Sequence, residues 1–257
     1  SMSSALPFTL KGKTLIVTGA SSGIGRQCAI SCALMGASIA VFGRDEGRLN
    51  DTLQSMDDPE KHMSCAIDLL EYDMVGDAVR EVVRQKGRID GLINCAGIST
   101  TLPLNSITTQ RIEHFLRTNV IASMNITRHA VKSAHFSLTG GSVIFISSVM
   151  GVAGENGKTL YSLTKGALVA AVKSMAIELA PRKIRVNAIS PGVVESPMSR
   201  SAVYSRDAAS LNKIQSLHPL GLGKVDDVAN ACIFLLSDAS AWITGINLIV
   251  DGGYLAK

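Results

Sequence analysis

Short unbroken apolar runs alternate along this chain with longer stretches whose apolar residues recur at helical spacing, and the alternation holds almost throughout residues 14–250. The runs predict strands at 14–17, 38–42, 62–67, 91–94, 142–147, 184–189 and 247–250. The periodic stretches predict helices at 24–35, 44–56, 72–85, 112–137, 160–179 and 225–236. Strands apolar along their whole length are expected where helices cover both sheet faces. Strict alternation of this kind gives a parallel, doubly wound sheet with right-handed crossovers. No repeat, linker or low-complexity tract divides the chain, so one α/β domain is expected over residues 10–257. Residues 1–9 read as a tail, in which Ser1-Met2 resembles the scar of a cleaved tag. After Pro191-Gly192 the alternation breaks. Residues 197–222 hold Met198, Tyr204, Leu211, Ile214 and Leu217 among polar neighbours, as a mobile substrate lid would.

Composition narrows the class. Hydrophobic residues make up 46% and charged residues 18% of the 257, which suits a large buried core. The net charge of +4 is spread without a basic block or interleaved aromatics, against nucleic acid as the main partner. Five cysteines show no metal-ligand spacing, and an odd count argues against a disulfide framework. Cys28 and Cys32, four apart on a predicted helix, read as small hydrophobes in a reducing compartment. No apolar run reaches the ~18 residues of a membrane span and no secretory signal opens the chain, so a soluble cytoplasmic enzyme is expected. His62, His114, His129, His135 and His218 lack the spacing of a triad or a metal site; His218, near the lid, reads as a surface loop residue. No metal is expected.

The first strand runs straight into Thr18-Gly19-Ala20-Ser21-Ser22-Gly23-Ile24-Gly25 and then a helix. Glycines there allow a tight turn and a close approach to a pyrophosphate, whose charge the helix N-terminus favours. No Gly-Lys-Ser/Thr closes the turn, so it is not a P-loop. A dinucleotide site of this kind places an acid at the end of the second strand for NAD, or a cation for the 2′-phosphate of NADP. Here Gly43 stands where the acid would be and Arg44 follows, able to form paired charge-assisted bonds to phosphate. Asp45 competes with that reading, but its place before Glu46-Gly47-Arg48 suits a helix N-cap. NADP is expected over NAD.

Tyr161 and Lys165 stand four apart, which on a helix puts phenol and ammonium on one face. A phenol of pKa ~10 is a poor acid–base group at neutral pH, and a nearby cation favours its ionised form. Alone, the pair would equally suit an aromatic residue with a snorkelling neighbour.

Taken together, these motifs resemble the short-chain dehydrogenase/reductase family over about residues 10–255. The resemblance rests also on Asn94-Cys95-Ala96-Gly97, on Ser148 thirteen residues before Tyr161, on Pro191-Gly192, and on Ile243-Thr244-Gly245 with Asp251-Gly252-Gly253. It implies a single-domain Rossmann fold with a seven-stranded parallel sheet. It also implies Asn119, Ser148, Tyr161 and Lys165 as catalytic residues, with Asn119 holding a water that links the lysine to solvent. Cofactor contacts implied by matching position are Gly19, Ser21, Ser22, Gly23, Ile24, Gly25, Arg44, Asp68, Leu69, Asn94, Ala96, Gly97, Tyr161, Lys165, Pro191, Gly192, Val194 and Ser196. The expected activity is NADP(H)-dependent, reversible hydride transfer between nicotinamide and a carbonyl or secondary alcohol. Within the family the chain is most similar to the 3-oxoacyl-(acyl carrier protein) reductase group. Arg182 and Lys183 suit one of the two basic contacts to an acyl carrier protein, while Ser137-Leu138-Thr139-Gly140 offers no cation for the other. An NAD-dependent alcohol, sugar, polyol or steroid-like dehydrogenase is the alternative, and a non-catalytic dinucleotide-binding regulator a third. Relatives are usually homotetramers. The apolar faces of the helices around 119–134 and 160–179 suit subunit contact, or else a fully internal helix.

Overall fold

The computed structural model describes residues 6–196 and 207–257. Seven strands form one parallel sheet: β1 (Thr14–Val17), β2 (Ser38–Gly43), β3 (Met63–Ala66), β4 (Gly91–Asn94), β5 (Gly141–Ile146), β6 (Ile184–Pro191) and a final strand, Asn247–Val250. Their order is β3-β2-β1-β4-β5-β6 followed by that final strand at the edge. The chain therefore runs outward from β1 in one direction, returns, and runs outward in the other through β4. That reversal opens a crevice at the carboxyl ends of β1 and β4, the position at which doubly wound sheets bind ligands.

Side chains alternate across the sheet and fill a core on each face. Leu15, Val17, Ile39, Val41, Ile93 and Ile144 meet the helices α1 (Gly23–Leu34) and α2 (Glu46–Gln54). Ile16, Phe42, Leu92, Val143, Phe145 and Val186 meet α3 (Tyr72–Lys86) on the other side. Both sets are fully buried, which is why the strands carry no polar alternation.

The helix predicted at 112–137 is a composite. It comprises α4 (Thr109–Leu116), a π-helical turn (Arg117–Ile121) and α5 (Ala122–Ala130). Thr108 starts it by accepting a hydrogen bond from Arg111 N at 3.2 Å. The predicted helix at 44–56 is shorter in the structure because Asp45 is its N-cap, accepting from Arg48 N at 3.0 Å. α6 (Thr159–Leu179) packs on β6.

Residues 197–206, including Met198 and Tyr204 of the expected lid, lie outside the described residues. The rest of that segment forms α7 (Ala208–Ser216), capped by Asp207, a helix that the hydropathy pattern does not announce. Val194–Glu195 (β7) and Gly223–Lys224 (β8) pair as a parallel ribbon ahead of α8 (Val225–Leu236), and the sheet's edge strand Asn247–Val250 is β9. α8 lies against α1, where Cys28 Sγ and Cys232 Sγ approach to 3.7 Å as free thiols. Among the described residues, no helix is long and apolar enough to cross a membrane.

Candidate active site

A cleft of ≈ 600 Å³ opens at the carboxyl edge of the sheet. Its floor is the glycine turn. Gly19 has φ +60, and a Cβ there would stand 2.9 Å from Ala96 N and Cα. A Cβ on Gly25 would strike Gly19 O at 2.2 Å. The backbone thus packs closer than any side chain allows, leaving a cradle lined by Ser21, Ser22, Gly23 and Ile24 at the N-terminus of α1. Ser22 is the N-cap residue and makes no side-chain capping bond. A helix N-terminus presents N–H groups and positive potential, which fits a pyrophosphate.

Arg44 lines the cleft just past β2. Asp45 caps α2 through Oδ1 and stands with Oδ2 3.9 Å from Arg48 Nε, so its charge is partly offset and the Arg44 guanidinium faces the cleft without it. Gly43 has a packing reason as well as an electrostatic one, since a Cβ there would meet Leu49 Cδ2 at 3.0 Å. Asp68 and Leu69, past β3, also line the cleft, and Asp68 Oδ1 accepts from Leu70 N at 3.0 Å.

Thr18 organises the neighbouring wall. Its hydroxyl oxygen accepts from Cys95 N at 3.0 Å and from Ala96 N at 3.2 Å, pinning the Asn94–Gly97 segment to the end of β1. Ala96 and Gly97 line the cleft; Asn94 does not. Asn94 is buried behind them, its Nδ2 donating to Thr127 Oγ1 at 3.0 Å. Asn119 stands outside the lining too. From the π-helical turn it binds both backbone groups of Ile98, accepting from N at 2.8 Å and donating to O at 2.9 Å, and it donates to Thr164 Oγ1 at 3.0 Å. Its side chain fastens the loop after β4 to α6.

Ser148, Tyr161 and Lys165 all line the cleft. The serine pair after β5 divides its work. Ser147 donates to Lys165 O at 2.9 Å and is spent on holding α6, whereas Ser148 accepts from Met150 N at 3.1 Å and keeps its own proton to give. Lys165 is buried, with Nζ donating to Ile146 O at 3.0 Å and lying 5.7 Å from the Tyr161 ring centroid. Burial lowers its pKa to about 8. Lys158, beyond the sequence motifs, holds its Nζ 5.7 Å from the same ring centroid.

The opposite wall comes from Pro191, Gly192, Val194 and Ser196, all on the cleft. His218 joins them, and the expectation of a surface loop residue is wrong. It is buried, it lines the cleft, its Nδ1 donates to Ile214 O at 2.7 Å and its Nε2 accepts from Val193 N at 3.1 Å. The imidazole ties α7 to the loop after β6, and Tyr254 packs on its ring at 5.0 Å between centroids. The local sequence does not announce it, since Ile214 is the one buried residue of α7. His114, Ile214 and Tyr254 complete the reacting end.

A phenol and a serine hydroxyl on one rim can hold and protonate an oxygen; the glycine cradle with Arg44 can hold a phosphorylated dinucleotide. The family model described as enoyl-(acyl carrier protein) reductase matches residues 19–255. The chain is 32% identical over 246 residues to 3-oxoacyl-(acyl carrier protein) reductase of Thermotoga maritima, covering 95% of this chain and 98% of that protein. It is 32% identical over 253 residues to carbonyl reductase (NADPH) 2 of Sus scrofa, covering 98% of this chain and all (100%) of that one. A Sinorhizobium meliloti protein provisionally assigned as a short-chain alcohol dehydrogenase superposes with TM-score 0.91 at 29% identity, over 98% of this chain and 99% of that one.

Proposed function

The chain belongs to the short-chain dehydrogenase/reductase family, oxidoreductases that act on CH–OH or carbonyl groups with a nicotinamide dinucleotide, and on that premise we propose that it is an NADPH-dependent reductase of a small carbonyl compound, reversible in principle. The observation that carries this reading is that Ser148, Tyr161 and Lys165 share one cleft with the glycine cradle and Arg44.

In this reading the cradle from Gly19 to Gly25 holds the pyrophosphate and Arg44 the 2′-phosphate. Asp68, Leu69, Ala96 and Gly97 take the adenosine side. Pro191, Gly192, Val194 and Ser196 face the nicotinamide, and Lys165 binds its ribose. The cofactor, when bound, supplies the hydride. Ser148 donates a hydrogen bond to the substrate carbonyl oxygen and fixes it near Tyr161. The Tyr161 phenol then gives its proton to that oxygen as negative charge develops there, or takes one in the oxidative direction. The ammonium of Lys165, in a site poor in water, favours the phenolate that remains. Asn119 acts as a positioning residue, holding the Ile98 backbone against α6.

The test is decay of NADPH absorbance with a panel of ketones. Tyr161→Phe should lower kcat by about a thousandfold, in line with loss of a general acid, and leave NADPH affinity within a few-fold. Retained turnover would refute the assignment of the phenol, and no turnover on any carbonyl despite tight NADPH binding would favour a regulatory dinucleotide-binding role.

A further inference from the structure

The reacting end of the cleft contains a second ammonium that the proton chemistry above does not use. Lys158 stands three residues before Tyr161 and lines the cleft. It is fixed in place: Nζ donates to Thr101 Oγ1 at 2.8 Å and to Thr100 O at 3.4 Å. The loops around it are joined as well, Leu102 N donating to Gly157 O at 2.8 Å. Gly157 has φ +82, and a Cβ there would meet Thr101 Cγ2 at 2.8 Å. Small residues are needed for this close seam, which sets the ammonium beside Tyr161.

Both partners of Lys158 are neutral oxygens. Among the described residues it belongs to no ion pair within 4.0 Å. Glu155 lines the cleft nearby, but it is exposed and its field is screened by water. An ammonium has three donors, and the two threonine contacts leave one. Burial pushes the Lys158 pKa down, with Glu155 opposing, so a charge that is half out of water goes largely uncompensated. Met150, Val193 and Ile214 line the same cleft and give it apolar surface for a carbon skeleton.

We propose that Lys158 is a specificity-determining residue, and that the carbonyl compound taken by this cleft is a short oxo acid whose carboxylate docks on the Lys158 ammonium while its carbonyl faces Tyr161. A single remaining donor suits one carboxylate oxygen. A phosphate site gathers several N–H groups or a guanidinium fork, and among the described residues no arginine other than Arg44, at the glycine turn's end, lines the cleft. Lys158 Nζ lies 5.7 Å from the centroid of the Tyr161 ring, so an acid that spans from that ammonium to the phenol needs only a short carbon chain between carboxylate and carbonyl. The inference rests on the reductase reading for its carbonyl, and on Lys158 alone for its carboxylate.

Two measurements separate these. The first compares kcat/KM for acetoacetate and its methyl ester with NADPH. Wild-type protein prefers the acid by about tenfold or more, the worth of one charge-assisted hydrogen bond. Lys158→Gln erases that preference through KM, and Lys158→Arg keeps part of it. The second needs no turnover: malonate, but not malonamide, raises the melting temperature of wild-type protein, and Lys158→Gln abolishes the difference. A wild-type preference for the ester, an equal loss on both substrates, or equal shifts by malonate and malonamide overturns the proposal. A malonate shift that depends on Lys158 without reduction of any carbonyl keeps the carboxylate site and sinks the reductase reading.

Discussion

Lys165 keeps a full side chain almost out of water, with one hydrogen bond to Ile146 O, and its pKa falls from 10.5 to about 8 for that reason. A depressed lysine pKa means that the folded state disfavours the charged form. The cost is full below pH 8, shrinks as pH rises from 8 to 10.5, and is gone above it. The shift corresponds to roughly 3 kcal/mol, reduced by about 1 kcal/mol for the hydrogen bond that a substitution loses. Lys165→Met should therefore melt higher than wild type at pH 7 by about 4 °C or more, with the gap closing towards pH 10, while turnover is lost. Calorimetry across that range checks the sign; a gap that widens with pH contradicts it. At the other end of the cleft Asp45 is spent on its helix cap, so Arg44→Ala should lower the NADPH-over-NADH ratio of kcat/KM by about tenfold or more. An unchanged ratio would show that another group reads the 2′-phosphate.

Residues of this kind differ in how legible they are. The thirteen-residue interval to Tyr161 picks out Ser148, and the hydrogen bond from Ser147 to Lys165 O agrees with that choice. Arg44 follows from a strand end. His218 could not be placed, because its two partners are Ile214 O and Val193 N, the second twenty-five residues away. Lys158 was silent for a related reason: its meaning depends on how the loops at 98–104 and 152–158 lie together.

Among the elements, the strands were legible to within a residue or two, since continuous apolar runs leave little choice once both sheet faces are covered. The π-helical turn at Arg117–Ile121 was not, because its apolar spacing resembles that of the helices flanking it and only its backbone bonds differ, Ala122 N reaching five residues back to Arg117 O. α7 was missed in the same way, as its one buried apolar residue, Ile214, gives no helical period. The glycine turn is the opposite case, where local sequence suffices. Gly25→Ala should lose NADPH affinity by about a hundredfold or fail to fold, because the methyl meets the rigid backbone of Gly19. Gly154→Ala, with nothing within 4 Å of the added carbon, is the control and should melt as wild type. Titration of cofactor by fluorescence distinguishes the two, and normal binding by Gly25→Ala would remove the cradle from the cofactor site.

For the whole molecule, some of the exposed apolar side chains lie where a subunit contact was expected. Ile121 is 44% exposed, Leu163 47% and Ile177 78%, all on the α4–α5 composite or α6. Trp242 is fully exposed next to the edge strand β9, on which Ile249 is 37% exposed. A homotetramer that covers these surfaces is the proposal, and light scattering at micromolar concentration should report about four times the chain mass. A monomer there would mean that these side chains face solvent.

The wall of the cleft draws on residues from Gly19 to Tyr254, and the residues of the glycine cradle and of the proposed adenosine side all precede Ile98. During synthesis amino-terminal segments emerge first, yet α1, at whose start the cradle lies, packs on α8, so the cradle has its full support only once Val225–Leu236 has been made. The cleft therefore takes shape late, and a chain cut before Val225 would leave α1 without the helix it lies against.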